Sequence, residues 1–139
     1  MRLTRTGSKG ENWGRNMEKY IKISTNGKVE KIDISPEAWL DGAYKALECD
    51  TIQIVRCSPS HGGMLLVIDD NGKIEGKELN ALATILYGHF PEDYIVGDVI
   101  IGWQGYRDGE PDVVELPDGL FVYMLDKLRD IGREIDSLT

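Results

Sequence analysis

Residues 93–102 read DYIVGDVIIG, an aliphatic run of the kind that fills a buried strand. Placing that strand decides the fold. One carboxylate, Asp98, interrupts it. In a regular strand Val96, Asp98 and Ile100 share one face, and Ile95, Gly97, Val99 and Ile101 take the other. Both faces are then apolar, so Asp98 is expected to be at least partly buried. An unpartnered ionised carboxylate is unfavourable there, and something must compensate it. Gly97 suggests a bulge or a close backbone approach, which would let Asp98 accept backbone N–H groups. A second compensating partner is Arg56, should the strands carrying the two residues be neighbours. Asp98 therefore reads first as a structural acid, with a ligand-site role as the alternative and catalysis disfavoured.

Working back from this strand, KELNALATILYG (77–88) carries Leu79, Leu82, Ala83 and Leu86 at helical spacing, with Gly88 as a stop. Ahead of it, MLLVID (64–69) reads as a central strand and DDNGK as a turn. TIQIVRC (51–57) is a further strand, joined to MLLVID by the loop SPSHGG. Ser35-Pro36-Glu37 stacks an N-cap, an N1 proline and a first-turn acid before Leu40, Ala43, Tyr44 and Leu47. That spacing predicts a helix to about Glu48. Tyr20, Ile21 and Ile23 pair across Asn26-Gly27 with Val29, Ile32 and Ile34, a hairpin signal.

Working forward, WQGYRDGEPDVVELPDG (103–119) is punctuated by Gly and Pro and reads as a loop. Leu120, Met124, Leu128, Ile131, Ile135 and Leu138 then mark a long C-terminal amphipathic helix. Hairpins mixed with three helices, without regular strand–helix alternation, indicate a single α+β domain. Its sheet is expected to be mixed, mostly antiparallel and of about five strands.

The domain is expected to occupy residues 17–139. Residues 1–16, MRLTRTGSKGENWGRN, show no apolar periodicity, and Met17 opens directly into a strand. They read as a disordered arm or as an upstream extension ahead of a native start at Met17. Gly14-Arg15-Asn16 can be encoded by a purine-rich tract like those preceding bacterial start codons. They also lack the apolar core of a secretory signal, and no run in the chain approaches the roughly 20 apolar residues of a membrane span. Cys49 and Cys57 read as reduced thiols of a cytoplasmic protein.

Of 139 residues, 16 are basic and 24 acidic, for a formal charge of −8. Arg2, Arg5, Lys9 and Arg15 against Glu11 give the first sixteen residues +3, and removing that from −8 leaves −11 for the rest. Such a surface repels phosphates at long range, so direct nucleic-acid binding is not expected. Glu92, Asp93, Asp98, Asp108, Glu110, Asp112, Glu115 and Asp118 face only Arg107 within 92–118, a net −7. With Phe90, Trp103 and Tyr106 interleaved, the segment reads either as a solvated acidic loop or as a protein-docking surface on Asp108, Glu110, Asp112 and Glu115.

Catalytic signals are weak. Ser58, Ser60 and His61 lie in a Gly-rich connection without the spacing of a nucleophile elbow, and no phosphate-cradle motif occurs. Cys49, Cys57, His61 and His89 match no zinc spacing, and Asp69-Asp70-Asn71-Gly72 lacks the spacing and terminal Glu of a calcium loop. No catalytic residue, metal or cofactor is assigned. Arg56, His61, Asn80, Tyr87 and Trp103 are the groups expected around a small-ligand pocket: Arg for a phosphate, Tyr or Trp to stack a base, Asn to read its edge.

LLVIDDNGKIEGKELNALATILYG followed by DYIVGDVIIG, with ALECDTIQIVR before them, resembles a family of small phage, plasmid and mobile-element proteins, a domain of unknown function (DUF3846-like). The similarity covers roughly residues 19–103 and leaves out the acidic segment and the last helix. It implies an accessory gene of a mobile element in a bacterial cytoplasm and carries no reaction. The expectation is a non-enzymatic protein that binds a host or element-encoded macromolecule, with DNA mimicry or an anti-defence role as versions of it. The alternative is a binder that sequesters a nucleotide signal. A protein partner is expected, and a homodimer is compatible with the C-terminal apolar stripe.

Overall fold

The Asn26-Gly27 turn closes the first hairpin. In the computed structural model, which describes residues 17–138, β1 (Glu18–Ile23) pairs antiparallel with β2 (Val29–Ile34). Gly27 takes φ +89°, where a side chain would be strained, and Asn26 Oδ1 accepts the Lys28 N–H at 3.0 Å. The reading of residues 1–16 lies outside the described residues.

Ser35-Pro36-Glu37 does start a helical segment, but as one 3-10 turn, Pro36–Ala38, ahead of α1 (Trp39–Leu47). The Ser35 hydroxyl caps nothing. Glu48 ends α1 in the left-handed region at φ 52°. β3 (Ile52–Arg56) then pairs antiparallel with β4 (Met64–Asp69), whose first four residues are all buried. That burial on both faces explains the unbroken apolar run MLLV.

The second helix is shorter than its apolar pattern. α2 spans Ala81–Tyr87 because Asn80 caps it, its Oδ1 accepting the Ala83 N–H at 3.0 Å. Leu79 therefore falls outside the helix and bridges Val96. Gly88 ends α2 at φ +83°.

The decisive strand begins later than expected. β5 is Val99–Arg107, not 93–102. Residues 95–97 are taken up by the entry to α2 instead. The Ile95 N–H donates to Thr84 Oγ1 (2.9 Å), the Asn80 N–H to Ile95 O (2.8 Å) and the Gly97 N–H to Glu78 O (2.8 Å). Gly97, at φ +77°, is the hinge that turns the chain from these bonds into the sheet.

The expected loop after it is a hairpin. β5 runs on to Arg107 and returns as β6 (Glu110–Val114). Asp108 (φ 52°) and Gly109 (φ +81°) form the two-residue turn with both φ positive that matches strand twist. Among the described residues the sheet thus has six strands in the order β2-β1-β5-β4-β3, every pairing antiparallel, with β6 on the edge of β5 that faces β1. β3 and β5 are not neighbours, since β4 lies between them. The long last helix is α3, Asp118–Ser137.

Two cores follow. On one face Ile21, Ile23, Leu66, Val99 and Ile101 pack against α2 and α3 through Leu82, Leu86, Phe121, Met124 and Leu128. On the other, Tyr20, Ile34, Leu65, Val67, Ile100 and Val113 pack against Trp39, Ala43 and Leu47 of α1.

Candidate functional site

α1 alone roofs only part of its face of the sheet. Nine residues reach about 14 Å, and they cover Tyr20, Leu65, Val67 and Ile100 while leaving β3 and the β5–β6 hairpin open. The uncovered part is a groove of about 720 Å³. Trp39, Leu40 and Tyr44 form one wall, Ile52, Ile54 and Arg56 of β3 another, and Tyr106, Pro111 and Asp112 of the hairpin a third, over a floor that includes Leu65 and Val113. Gly102 lets that floor close down, because a Cβ there would run into the Val113 side chain and lie 3.2 Å from Val114 O.

The groove is apolar with a few polar points. Arg56 Nη1 donates to Gln104 Oε1 at 2.6 Å across β4. Tyr106 is 73% exposed and Ile54 45% exposed. A largely covered cation, Arg107, anchors the hairpin wall behind them. Arg107 forks onto Glu18 (Nη1 to Oε2 and Nη2 to Oε1, both 2.9 Å), and its Nε reaches Asp112 Oδ2 at 3.1 Å. Its Nη2 also reaches Val113 O and, at 3.4 Å, the Tyr20 hydroxyl, which donates to Glu18 Oε1 at 2.6 Å. Burial and the adjoining Glu18 push the Tyr20 phenol well above its ordinary range. Arg107 is partly desolvated, yet Glu18 more than offsets that and holds it firmly charged. This is a fixed wall, and it orients Asp112.

Of the five residues expected around a ligand, only Arg56 lines the groove. Tyr87 and Trp103 pack against the core on the opposite face of the sheet, so the sheet itself separates them from Arg56. Trp103 lies beneath Gly62 and Gly63. The Tyr87 hydroxyl donates to Asp93 Oδ2 at 3.0 Å, and burial raises its pKa. Lys73, 2.6 Å from Asp93, lowers that carboxyl's pKa in turn. His61 closes a 3-10 turn, Pro59–His61, outside the groove. Asn80 is buried to 1% exposure, and its amide donates to Ile23 O (3.1 Å) and Gly97 O (2.9 Å). It joins β1, α2 and the entry to β5, and presents nothing to a ligand.

Asp98 also joins elements. Its Oδ1 accepts the Thr25 N–H at 3.1 Å and its Oδ2 lies 3.6 Å from Lys22 Nζ, with 31% of the side chain exposed. The alternative pairing with Arg56 does not form, because β4 intervenes. The acidic segment, expected as a loop, is the β5–β6 hairpin and the turn after it. Asp112 faces Arg107, Glu115 Oε1 accepts the Lys19 N–H at 2.8 Å, Asp108 makes the turn, and Glu110 sits opposite Arg107 in the hairpin. Of the aromatics expected there, Tyr106 alone lines the groove.

The buried acid that the sequence leaves unmarked is Asp69. Its side chain is 3% exposed, with Oδ2 2.6 Å from Lys77 Nζ and Oδ1 accepting the Asn71 N–H at 2.9 Å. Lys77 also donates to Leu47 O and Glu48 O at 3.5 and 3.4 Å, binding the end of α1, and its bond to Asp69 raises its pKa. Among the described residues no three His, Cys, Asp or Glu side chains converge as metal ligands. No helix among them is long and apolar enough to cross a membrane.

Residues 17–129 match the model of a domain of unknown function, DUF3846. The chain belongs to this family. The match extends past residue 103, so the β5–β6 hairpin and most of α3 are part of the DUF3846 domain. No curated protein shows a significant match to the chain. One solved structure, the crystal structure of small RNA methyltransferase HEN1, is similar with a TM-score of 0.51 at 20% identity, over 73% of this chain and 15% of that one. The chain thus spans a small part of that protein, and the likeness is one of fold.

Proposed function

We propose that this DUF3846 chain is a non-enzymatic binding protein that takes a segment of a protein partner into the groove between α1, β3 and the β5–β6 hairpin. The observation that carries the reading is the make-up of that groove. Its walls are aromatic and aliphatic, and its lining contains no His, Cys, Ser or Lys. The two charged groups in it, Arg56 and Asp112, have internal partners in Gln104 and Arg107. A concave apolar surface with exposed Tyr106 at its rim fits an anchoring side chain better than a reaction. The resemblance to mobile-element proteins supports a bacterial cytoplasmic setting and a host or element-encoded partner.

DNA mimicry is the weaker version of this reading. Asp41 lies on α1 over one face, and Asp126, Asp130 and Glu134 lie on α3 over the other. Glu30, Asp33 and Asp93 pair with lysines, and Asp130 itself pairs with Arg133. A continuous phosphate-like array needs one face. The second reading is a small anionic ligand, favoured by Arg56 standing in the groove beside Tyr44 and Tyr106.

The test places a photo-crosslinking residue at Tyr106, and at Val122, exposed on α3, as control, in cells of the native host. A discrete protein adduct is expected at 106, absent at 122 and lost on Leu40→Asp. Equal labelling from both positions would refute the groove. Native mass spectrometry that releases a small anion, with no adduct at 106, would establish the second reading instead.

A further inference from the structure

Among the described residues β3 ends the sheet with an open edge, and its hydrogen-bonding phase can be read. The Asp70 N–H donates to Thr51 O (3.1 Å) and the Cys57 N–H to Met64 O (3.3 Å). Residues 51, 53, 55 and 57 therefore turn their backbone groups toward β4. Ile52, Ile54 and Arg56 turn theirs outward. The edge closes only past Arg56, where the Ser58 N–H donates to Tyr87 O at 3.0 Å. A β-branched edge of this kind is a template for another strand.

We infer that β3 pairs antiparallel with β3 of a second copy of this chain, in the register that sets Ile52 opposite the second copy's Ile54 and Asp50 opposite its Arg56. The occupant follows from the sequence of the edge itself. With a two-fold axis at Gln53, each outward residue meets an outward residue. The two isoleucines of each chain then make two Ile–Ile pairs, and at each end Asp50, in the bend just before β3, comes beside the second copy's Arg56, which would exchange its Gln104 bond for it. Opposed residues in an antiparallel pair project to the same face, and the positions agree. Ile52, Ile54 and Arg56 line the groove on the α1 face, and Asp50 lines a shallow hollow with Tyr44 and Lys45 of α1. Moving the axis to Ile54 would set Ile52 against Arg56 and Asp50 against Ser58, losing both matches. The isologous pairing makes one continuous sheet and brings two grooves side by side across the axis.

Sedimentation velocity of the full chain over a wide concentration range tests this. A reversible dimer is expected for the unaltered protein. Arg56→Asp opposes like charges twice in the interface and should weaken the dimer about tenfold or more at low salt. The double reversal Asp50→Arg with Arg56→Asp should restore it to within about threefold. Ile54→Pro removes an outward N–H and leaves the β4 ladder whole, so it should give a monomer with unchanged far-ultraviolet circular dichroism. The charge variants touch no core residue and test the register even if the proline variant unfolds. A wild-type monomer at every concentration would overturn the proposal. So would a folded double reversal that stays monomeric, or a dimer that survives Ile54→Pro.

Discussion

Replacing Asn80 by alanine isolates a buried polar side chain that joins β1, α2 and the entry to β5. Three bonds vanish together: the cap on the Ala83 N–H, and the donations to Ile23 O and Gly97 O. Loss of a helix cap costs about 1 kcal/mol. The two carbonyls are buried, and each left without a donor costs on the order of 1 kcal/mol or more. The sum is about 3–4 kcal/mol, a large fraction of a stability of roughly 5–15 kcal/mol. At roughly 3–5 °C per kcal/mol for a domain of this size, Tm should fall by about 10–15 °C.

The assay is thermal unfolding followed by circular dichroism, with Asn80→Asp alongside. The introduced carboxyl keeps the cap oxygen but turns an acceptor toward two carbonyls. Its folded pKa is thereby raised above its unfolded value of about 3.9. The stability of that variant is then greatest below about pH 4 and is lost as pH rises through the folded pKa. A Tm for Asn80→Ala within about 3 °C of the parent would refute the reasoning, because a ligand-reading amide could be cut at that low cost and a girder could not.

Two other predictions rest on single buried groups. Lys77→Met leaves Asp69 buried with its cation gone and should destabilise by about 3–5 kcal/mol in urea titration, most of it recovered when Asp69→Asn is added; an unchanged midpoint for the single variant would contradict the ion pair. Burial pushes the Cys57 thiol up to about 12 from 9.0, so its contribution to stability is intact below pH 9 and is lost as pH rises toward 12. Cys57→Ala should flatten the alkaline fall of Tm above pH 9 only in part, since Tyr20 is also raised and remains; a fall identical in both proteins would remove the thiol from the account.

Where the chain's local chemistry and its tertiary bonds agree, the sequence was legible. Asn26-Gly27 made its hairpin, Gly88 stopped α2, and the 3.6-residue stripe of the last helix became α3. The misreadings share a cause. Residues 93–98 have the composition of a strand, but the Asn80 N–H and Thr84 Oγ1 claim Ile95 before β1 can, and no local pattern announces that competition. In 103–119, Gly and Pro outweighed the Asp108-Gly109 pair, although that pair is the same turn signal as Asn26-Gly27. The ligand candidates do not converge on one place, for a topological reason. Arg56 and Tyr87 are both plausible contacts in one dimension, and only the strand order puts a sheet between them.

That strand order also explains why a groove exists at all. The chain enters α1 from β2, at one end of the sheet, and leaves it into β3, at the other. α1 makes the crossing with one flank along β2, where Asp41, Gly42 and Ala46 lie beside Ile32 and Ile34. β3 lies four strand spacings of about 4.8 Å, or about 19 Å, from β2, whereas a helix is only about 10 Å wide. One helix therefore roofs the nearer strands, and its other flank, Leu40 and Tyr44, faces Ile52 and Ile54 across the groove. On the other face α2 and α3 together supply 27 helical residues and close the core. The asymmetry is built into the number of helices on each face. Enlarging the α1 wall by Leu40→Trp should fill the hollow at Tyr44 and Ile54 without touching the opposite core, so a binding activity housed in the groove would be lost while α3-face packing and the melting transition survive.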